Sequence, residues 1–375
     1  MSDDTLLEPD RIEGAPHPRE TAQLLGQNEA VAEFLDAYAT GRLHHAWMIT
    51  GPKGTGKATL AWKIATFLLA ETGDDGGFFG ETPPAPTSLD VSPDAPDARL
   101  IAAGAHPRLT VLRRAVNKDT GKLRAQITVD EVRKLKGFFE MSAADGGRRV
   151  AIVDAADEMN VNAANALLKV LEEPPVDATL ILIAHQPSRL LPTIRSRCRT
   201  LRANTLPPET IAAALDQAGI TTNEAPALGA LAQGSVGEAM RLITMDGLAL
   251  YGDLIKLFTG LPRVDRTIAL KLADSAAGVR NVNRYDMMLD LFDAFLVRTA
   301  RAGLIGPPET QAASGEAQLM ARLAPHDAAA RHWAQLQQDL SDRVRHGRAV
   351  NLDPAALILD MIFKIEETAR RTVAN

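Results

Sequence analysis

Lys57 closes the run Gly51-Pro52-Lys53-Gly54-Thr55-Gly56-Lys57. Glycines at that spacing can curl main-chain N–H groups around a phosphate while the lysine reaches its terminal oxygens. The apolar residues Ala46–Thr50 read as a strand feeding into Gly51, and the residues after Lys57 place Leu60, Ile64, Phe67 and Leu68 on one helical face. A strand before and a helix after is the setting a phosphate loop requires; without it the run would be a turn with a solvated lysine. Gly51, Gly54, Gly56 and Lys57 are therefore candidate contacts to a nucleotide's phosphates. Ala58 follows, where the pattern calls for Ser or Thr to hold Mg2+. Thr59 offers the nearest hydroxyl, although one residue along a helix turns a side chain by about 100°. ATP or ADP could bind here with its metal weakly held.

Asp154 ends a second apolar run, Arg149-Val-Ala-Ile-Val-Asp154. An aspartate in that place either orients a metal or simply terminates a buried strand. A hydrolysing enzyme of this design needs a glutamate next to activate water, and Ala155 and Ala156 stand there instead. Asp157 and Glu158 fall in the following turn and point elsewhere. Two losses, Ala58 and Ala155, thus strike metal binding and water activation separately, and little or no intrinsic ATPase activity is expected. A third group is Leu190-Leu-Pro-Thr-Ile-Arg-Ser-Arg197-Cys198, in which Arg189, Arg195, Arg197, Arg199 and Arg202 form the densest basic stretch of the chain. Such a run is ordinarily a solvated face.

These residues need a scaffold, and the sequence alternates short apolar strands with periodic helices up to about residue 204, the pattern of a parallel sheet covered on both faces. Leu109–Leu112, Val150–Asp154 and Leu180–Ala184 read as further strands. Thr128 and Glu131 have capping-box spacing, with Val132, Leu135 and Phe139 as the stripe of that helix. Another helix carries Ala164, Leu167, Leu168 and Leu171 and stops at Pro174–Pro175. Residues 72–98, rich in Gly, Asp and Pro, read as an exposed insertion with little packed structure. Beyond Pro207–Pro208 everything reads as helix: a small domain over 205–247, then a bundle over 248–375. Met288, Phe292 and Phe295 give one stripe there, and Asp353–Pro354 is a start signal for the last helix.

Bulk properties narrow the function. A chain of 375 residues accommodates two or three domains, and 46% apolar with 23% charged residues describes an ordinary globular protein. Aromatics at 4% leave the core to Ala, Leu, Ile and Val. A net charge of −6 argues against a chain-wide basic surface for nucleic acid. The acidic start MSDDTLLEPD lacks the marks of a signal peptide, and no apolar run reaches the ~18 residues of a membrane span. One cysteine, Cys198, excludes intramolecular disulfides and cysteine-cluster zinc sites. The expected compartment is the cytoplasm.

The segments LHHAWMITGPKGTGKATLA, NALLKVLEEPP and LLPTIRSRC, in that order, resemble the clamp-loader branch of the AAA+ ATPases, with the likeness covering most of residues 20–245. That resemblance implies an α/β fold: a RecA-like P-loop domain over 1–204, a helical lid over 205–247 and an all-α collar over 248–375. It implies that Arg197, within Ser196-Arg197-Cys198, is an arginine finger reaching a neighbouring subunit's ATP site. It makes Arg241, in Gly234–Arg241, a candidate contact to bound phosphate, beside its reading as an exposed helical arginine. The histidines His44–His45 read as packing or as a contact to the nucleotide's edge, not as a metal site. Within the family, the losses at Ala58 and Ala155 resemble the subunit that does not hydrolyse ATP rather than the hydrolysing gamma/tau subunits. The implied partners are gamma/tau and delta subunits in a hetero-oligomeric ring, with the sliding clamp and primed DNA as indirect ones. The family often carries a four-cysteine zinc module after the P-loop helix; the cysteine-free 72–98 insertion takes its place, so no zinc is expected. An active gamma/tau-like ATPase and an AAA+ protein of recombination or repair are the alternative readings.

Overall fold

The computed structural model describes residues 8–11, 15–70, 86–117, 119–140, 147–276 and 282–373. The chain divides into two compact units, Met1–Thr221 with Ser235–Gly237, and Thr222–Gly234 with Glu238–Asn375.

The first unit is a five-stranded parallel sheet between helices. Its elements are α1 (Asn28–Ala39), β1 (Ala46–Thr50), α2 (Lys57–Ala70), α3 (Pro96–Ala102), β2 (Leu109–Arg113), α4 (Val129–Glu140), β3 (Arg149–Asp154), α5 (Val161–Glu172), β4 (Ala178–Ala184), α6 (Pro192–Arg195), β5 (Arg199–Arg202) and α7 (Pro208–Gln217). The strands lie in the order β2-β3-β4-β1-β5, all parallel. A parallel sheet is covered on both faces, so its inner strands must be apolar throughout. Strand β4 (ATLILIA) is buried along its whole length. Successive side chains alternate between two cores. Trp47, Ile49, Ile152, Ile181 and Ile183 meet α1 and α2 through Phe34, Leu60, Ile64 and Leu68. Met48, Ala151, Val153, Leu180 and Leu182 meet α4 and α5 through Val132, Leu135 and Leu167.

The four strands expected from sequence are present. The fifth, β5, sits in the arginine-rich stretch, and of its own four residues only Leu201 is buried. Arg199 of β5 lies over the Trp47 ring, 5.1 Å from its centroid, and 3.4 Å from Glu33, so part of the basic stretch is a sheet edge and not merely a solvated face. The expected cap of α4 forms, with Glu131 accepting from both the main-chain N–H and the hydroxyl of Thr128. Of the expected 72–98 insertion, residues 72–85 lie outside the described residues. The remainder is more tightly held than expected: Leu89 is buried among α2 side chains, Val91 packs beside it, and α3 begins at Pro96.

The second unit is helical: α8 (Ala225–Ala232), α9 (Val236–Thr244, in this unit from Glu238 on), α10 (Gly247–Thr259), α11 (Arg266–Ala276), α12 (Val282–Ile305), α13 (Glu316–Leu323), α14 (Asp327–Ala349) and α15 (Pro354–Val373). Met288, Phe292 and Phe295 are fully buried, and Asp353 caps α15 by accepting from Ala356 N–H at 2.9 Å. A buried polar knot ties four of these helices together. Glu316 accepts from Tyr251 Oη at 2.7 Å and from Arg298 Nε at 2.6 Å, while Arg298 Nη1 donates to Ala230 O at 3.0 Å. No helix among the described residues is long and apolar enough to cross a membrane.

Candidate nucleotide site

The carboxyl ends of β1 and β3 bring Lys57 and Asp154 into one electrostatic neighbourhood at the place where an open α/β sheet offers a crevice. Between β1 and α2 the chain turns through Gly51 (φ 144°) and Gly54 (φ 75°). A Cβ at Gly51 would collide with Ala203 O, and one at Gly54 with Ser235 Oγ, so the close approaches need glycine as much as the backbone angles do. Gly237 N–H donates to Gly54 O at 3.1 Å, which fixes the loop from its far side. Gly56 completes the turn with φ 91°.

Lys57 is 3% exposed and folds back over its own loop, with Nζ donating to Gly51 O at 2.8 Å and to Pro52 O. Burial lowers its ammonium to about 8, with Asp154 and Asp157 pulling the other way. A phosphate would replace the two carbonyl acceptors with a full negative charge, so the cradle fits that group. Fit to the metal is poor. Ala58 packs its methyl against the core beneath α2, and it has no oxygen to offer. Ala155, after Asp154, is 3% exposed and likewise has no polar side-chain atom.

Asp154 is buried at the end of β3. Burial, with Asp10 and Glu158 nearby, pushes its carboxyl up to about 7 against the pull of Lys57 and Arg113. The two later carboxylates are occupied, as their place in the 3-10 turn Ala156–Glu158 dictates. Asp157 accepts from the N–H groups of His185 and Gln186 at 3.0 and 2.9 Å, and Glu158 lies 2.7 Å from Arg114. Among the described residues no group of three or more His, Cys, Asp and Glu side chains could hold a metal ion.

The structure adds residues that the sequence did not flag. Gln27 is buried and staples the phosphate loop to the end of β5: its Nε2 donates to Thr55 O at 2.8 Å and to Asn204 O at 2.9 Å, and its Oε1 accepts from Asn204 N–H. His185 follows β4; burial and the charge of Lys57 lower its imidazole to about 4, against the pull of Asp157. Its Nδ1 is buried without a hydrogen-bond partner among the described residues. The acidic start also folds into this region. Glu8 lies 2.9 Å from both Arg19 and Arg113, and Asp10 lies 2.9 Å from Arg113 and 3.1 Å from His17. No sequence pattern marks the pairs with Arg113, because they join residues far apart in the chain.

The other expected residues fall elsewhere. Arg197 follows α6, with Nη2 3.0 Å from Glu172 Oε1 and Nη1 donating to Thr193 O at 3.0 Å. Arg241, in the second unit, is half-buried and pairs with Glu238 at 2.8 Å and with Asp290. Thr59 lies within α2, one residue past Ala58. His44 and His45 stack with centroids 4.4 Å apart at the amino end of β1, and His45 Nε2 meets Leu171 O at 3.1 Å. The phosphate loop leaves the opposite end of that strand. Burial pushes the Cys198 thiol up to about 12, which makes it an inert packing group.

The parallel sheet with its glycine-rich loop between β1 and α2 is a P-loop α/β fold, and a helical unit follows it. Residues 26–207 match the family described as "DNA polymerase III, delta subunit". It is 45% identical over 154 residues to the DNA polymerase III subunit delta' of Pseudomonas aeruginosa, covering 41% of each chain. It is 32% identical over 219 residues to the DNA polymerase III subunit delta' of Bacillus subtilis, covering 58% of this chain and 59% of that one. The matches thus span about half the length of these relatives. Among solved structures, the Thermotoga maritima RuvB Holliday junction branch migration motor covers 78% of this chain and 81% of its own, at 16% identity and a TM-score of 0.39.

Proposed function

We propose that this chain is a delta-prime subunit of the DNA polymerase III clamp loader that binds nucleotide without turning it over and lends Arg197 to a neighbouring gamma/tau subunit's ATP site. Its place would be in a ring with gamma/tau and delta subunits that loads the sliding clamp on primed DNA. Residues 1–204 would act as the P-loop domain, 205–247 as the lid and 248–375 as the collar, with Arg241 available to the nucleotide's phosphates. The observation that carries the reading is a mismatch inside one site. Lys57 and its glycine loop are shaped for phosphate, while Ala58 and Ala155 provide no oxygen for a metal or an attacking water.

The test is reconstitution of the loader with wild-type chain, Arg197→Ala and Arg197→Lys. The alanine variant should assemble normally and lower the DNA- and clamp-stimulated ATPase. The lysine variant should fail nearly as badly, because a point charge on a flexible stem lacks the planar fork of arginine. A finger supplied by a partner is worth ~10³–10⁵ in rate at its own site, and the loss visible in the whole loader is smaller because other sites continue. Full activity in the alanine variant would refute the arginine-finger role. Turnover by the isolated chain at ~1 per second, abolished by Lys57→Ala, would favour the hydrolysing gamma/tau-like alternative.

A further inference from the structure

We infer that Glu172 is the positioning residue that sets the reach of Arg197; the inference rests on the reading of Arg197 as an arginine supplied in trans. Glu172 is the last residue of α5, and its Oε1 lies 3.0 Å from Arg197 Nη2. A carboxylate there opposes its own helix, because the C-terminal end of a helix carries partial negative charge and favours cations. The nearby guanidinium supplies the reason for an acid in that place. The pair does little for stability, since the side chains are 48% and 37% exposed and such ion pairs are screened. Its consequence is geometric.

Both ends of the contact stand on fixed backbone. Ile194, inside α6, is fully buried, Arg197 N–H donates to Ile194 O at 3.1 Å, and Cys198 packs against the core beside α5. On the other side, α5 is stopped by Pro174–Pro175, and Leu171 O holds His45. Between these anchors only the two side chains are soft, the arginine stem being the longer. Glu172 and Thr193 O hold the guanidinium from two of its nitrogens and use two of its five N–H donors. The remaining donors stay available to a phosphoryl group outside the chain. A guanidinium held in this way reaches a partner's site already oriented, and misplacement by 1 Å can cost about 10²-fold in rate.

The experiment reconstitutes the full loader with gamma/tau and delta subunits, the sliding clamp and primed DNA. It compares wild type, Arg197→Ala, Glu172→Gln, Glu172→Asp and the Arg197→Ala/Glu172→Gln double variant. The ATPase lost in Arg197→Ala defines the site under study. Glu172→Gln should lose about tenfold of that portion through kcat, with KM for ATP and ring assembly unchanged. Glu172→Asp, which keeps the charge, should recover part of it. The double variant should be no slower than Arg197→Ala alone. Full Arg197-dependent ATPase in Glu172→Gln overturns the inference and leaves the arginine-finger reading standing. Additive losses in the double variant overturn it too, because Glu172 would then act by another route. An unchanged Arg197→Ala loader refutes the underlying reading instead.

Discussion

Gln27 and Asn204 exchange two hydrogen bonds, side-chain amide to main chain, each 2.9 Å long. The same amide donates to Thr55 O inside the phosphate loop, so one buried side chain joins the loop to the end of the sheet. Gln27→Ala leaves three main-chain groups to find other partners, at about 1–3 kcal/mol for each that stays buried and unsatisfied. We expect a net loss near 3 kcal/mol in urea unfolding, together with weaker ATP binding. Gln27→Glu should be worse than alanine at neutral pH, because a carboxylate would face two carbonyl oxygens. Equal stability in all three proteins would show that the staple is dispensable.

That staple illustrates what the sequence could not disclose. Strands β1 to β4 were legible because inner strands of a parallel sheet must be apolar throughout, and Ala46–Thr50 and Val150–Asp154 have no other plausible use. The stripes of α2 and α4 were legible for the matching reason of helical period. Strand β5 escaped because four residues with two arginines show neither period, and its fit depends on Trp47 and Glu33 brought from elsewhere. Gly51, Lys57 and the defects at Ala58 and Ala155 could be read from local spacing. Gln27, His185 and the pairing of Glu8 and Asp10 with Arg113 could not, since each contact is made only after the sheet has closed.

Lys57 predicts a pH dependence. Its ammonium falls from 10.5 unfolded to about 8 folded. Below pH 8 both states hold the proton, and the cost of burying the charge is present in full. Between about 8 and 10.5 the unfolded chain binds more protons, so stability should rise with pH across that window. The total is roughly 3 kcal/mol at 1.36 kcal/mol per pH unit. Denaturant melts of wild type and Lys57→Met from pH 7 to 10.5 check this, because the rise should be missing in the variant. A parallel rise in both proteins would assign it to another group.

Glu316 predicts a large local penalty. It is fully buried and answers Arg298 and Tyr251 together. Removing one member of a buried ion pair typically costs about 3–5 kcal/mol because the other charge is left uncompensated. Glu316→Ala should therefore lower urea stability by about that amount. Glu316→Leu combined with Arg298→Met should recover much of it, since an apolar pair leaves no stranded charge. A double variant as weak as the single would show that the hydrogen bonds to Ala230 and Thr310, not the charge, are what matters.

On the proposed reading, Ala58 and Ala155 weaken two separable functions. Ala58 is half-buried at the start of α2, at the position where a metal-holding hydroxyl would be needed, while Ala155 is buried beside Asp154 where a water-activating carboxylate would be needed. Ala58→Ser restores one oxygen in the smallest volume and leaves α2 otherwise unchanged. It should make ATP affinity depend on Mg2+, tightening it by about tenfold, or roughly 1.4 kcal/mol. Turnover should stay absent, because nothing at position 155 can take a proton from water. Titration calorimetry with and without Mg2+ reads the first effect, and phosphate release reads the second. If Mg2+ makes no difference to Ala58→Ser, the missing hydroxyl is not what weakens metal binding. If Ala58→Ser hydrolyses ATP steadily, Ala155 is no barrier, and Asp154 or His185 must be supplying the proton acceptor.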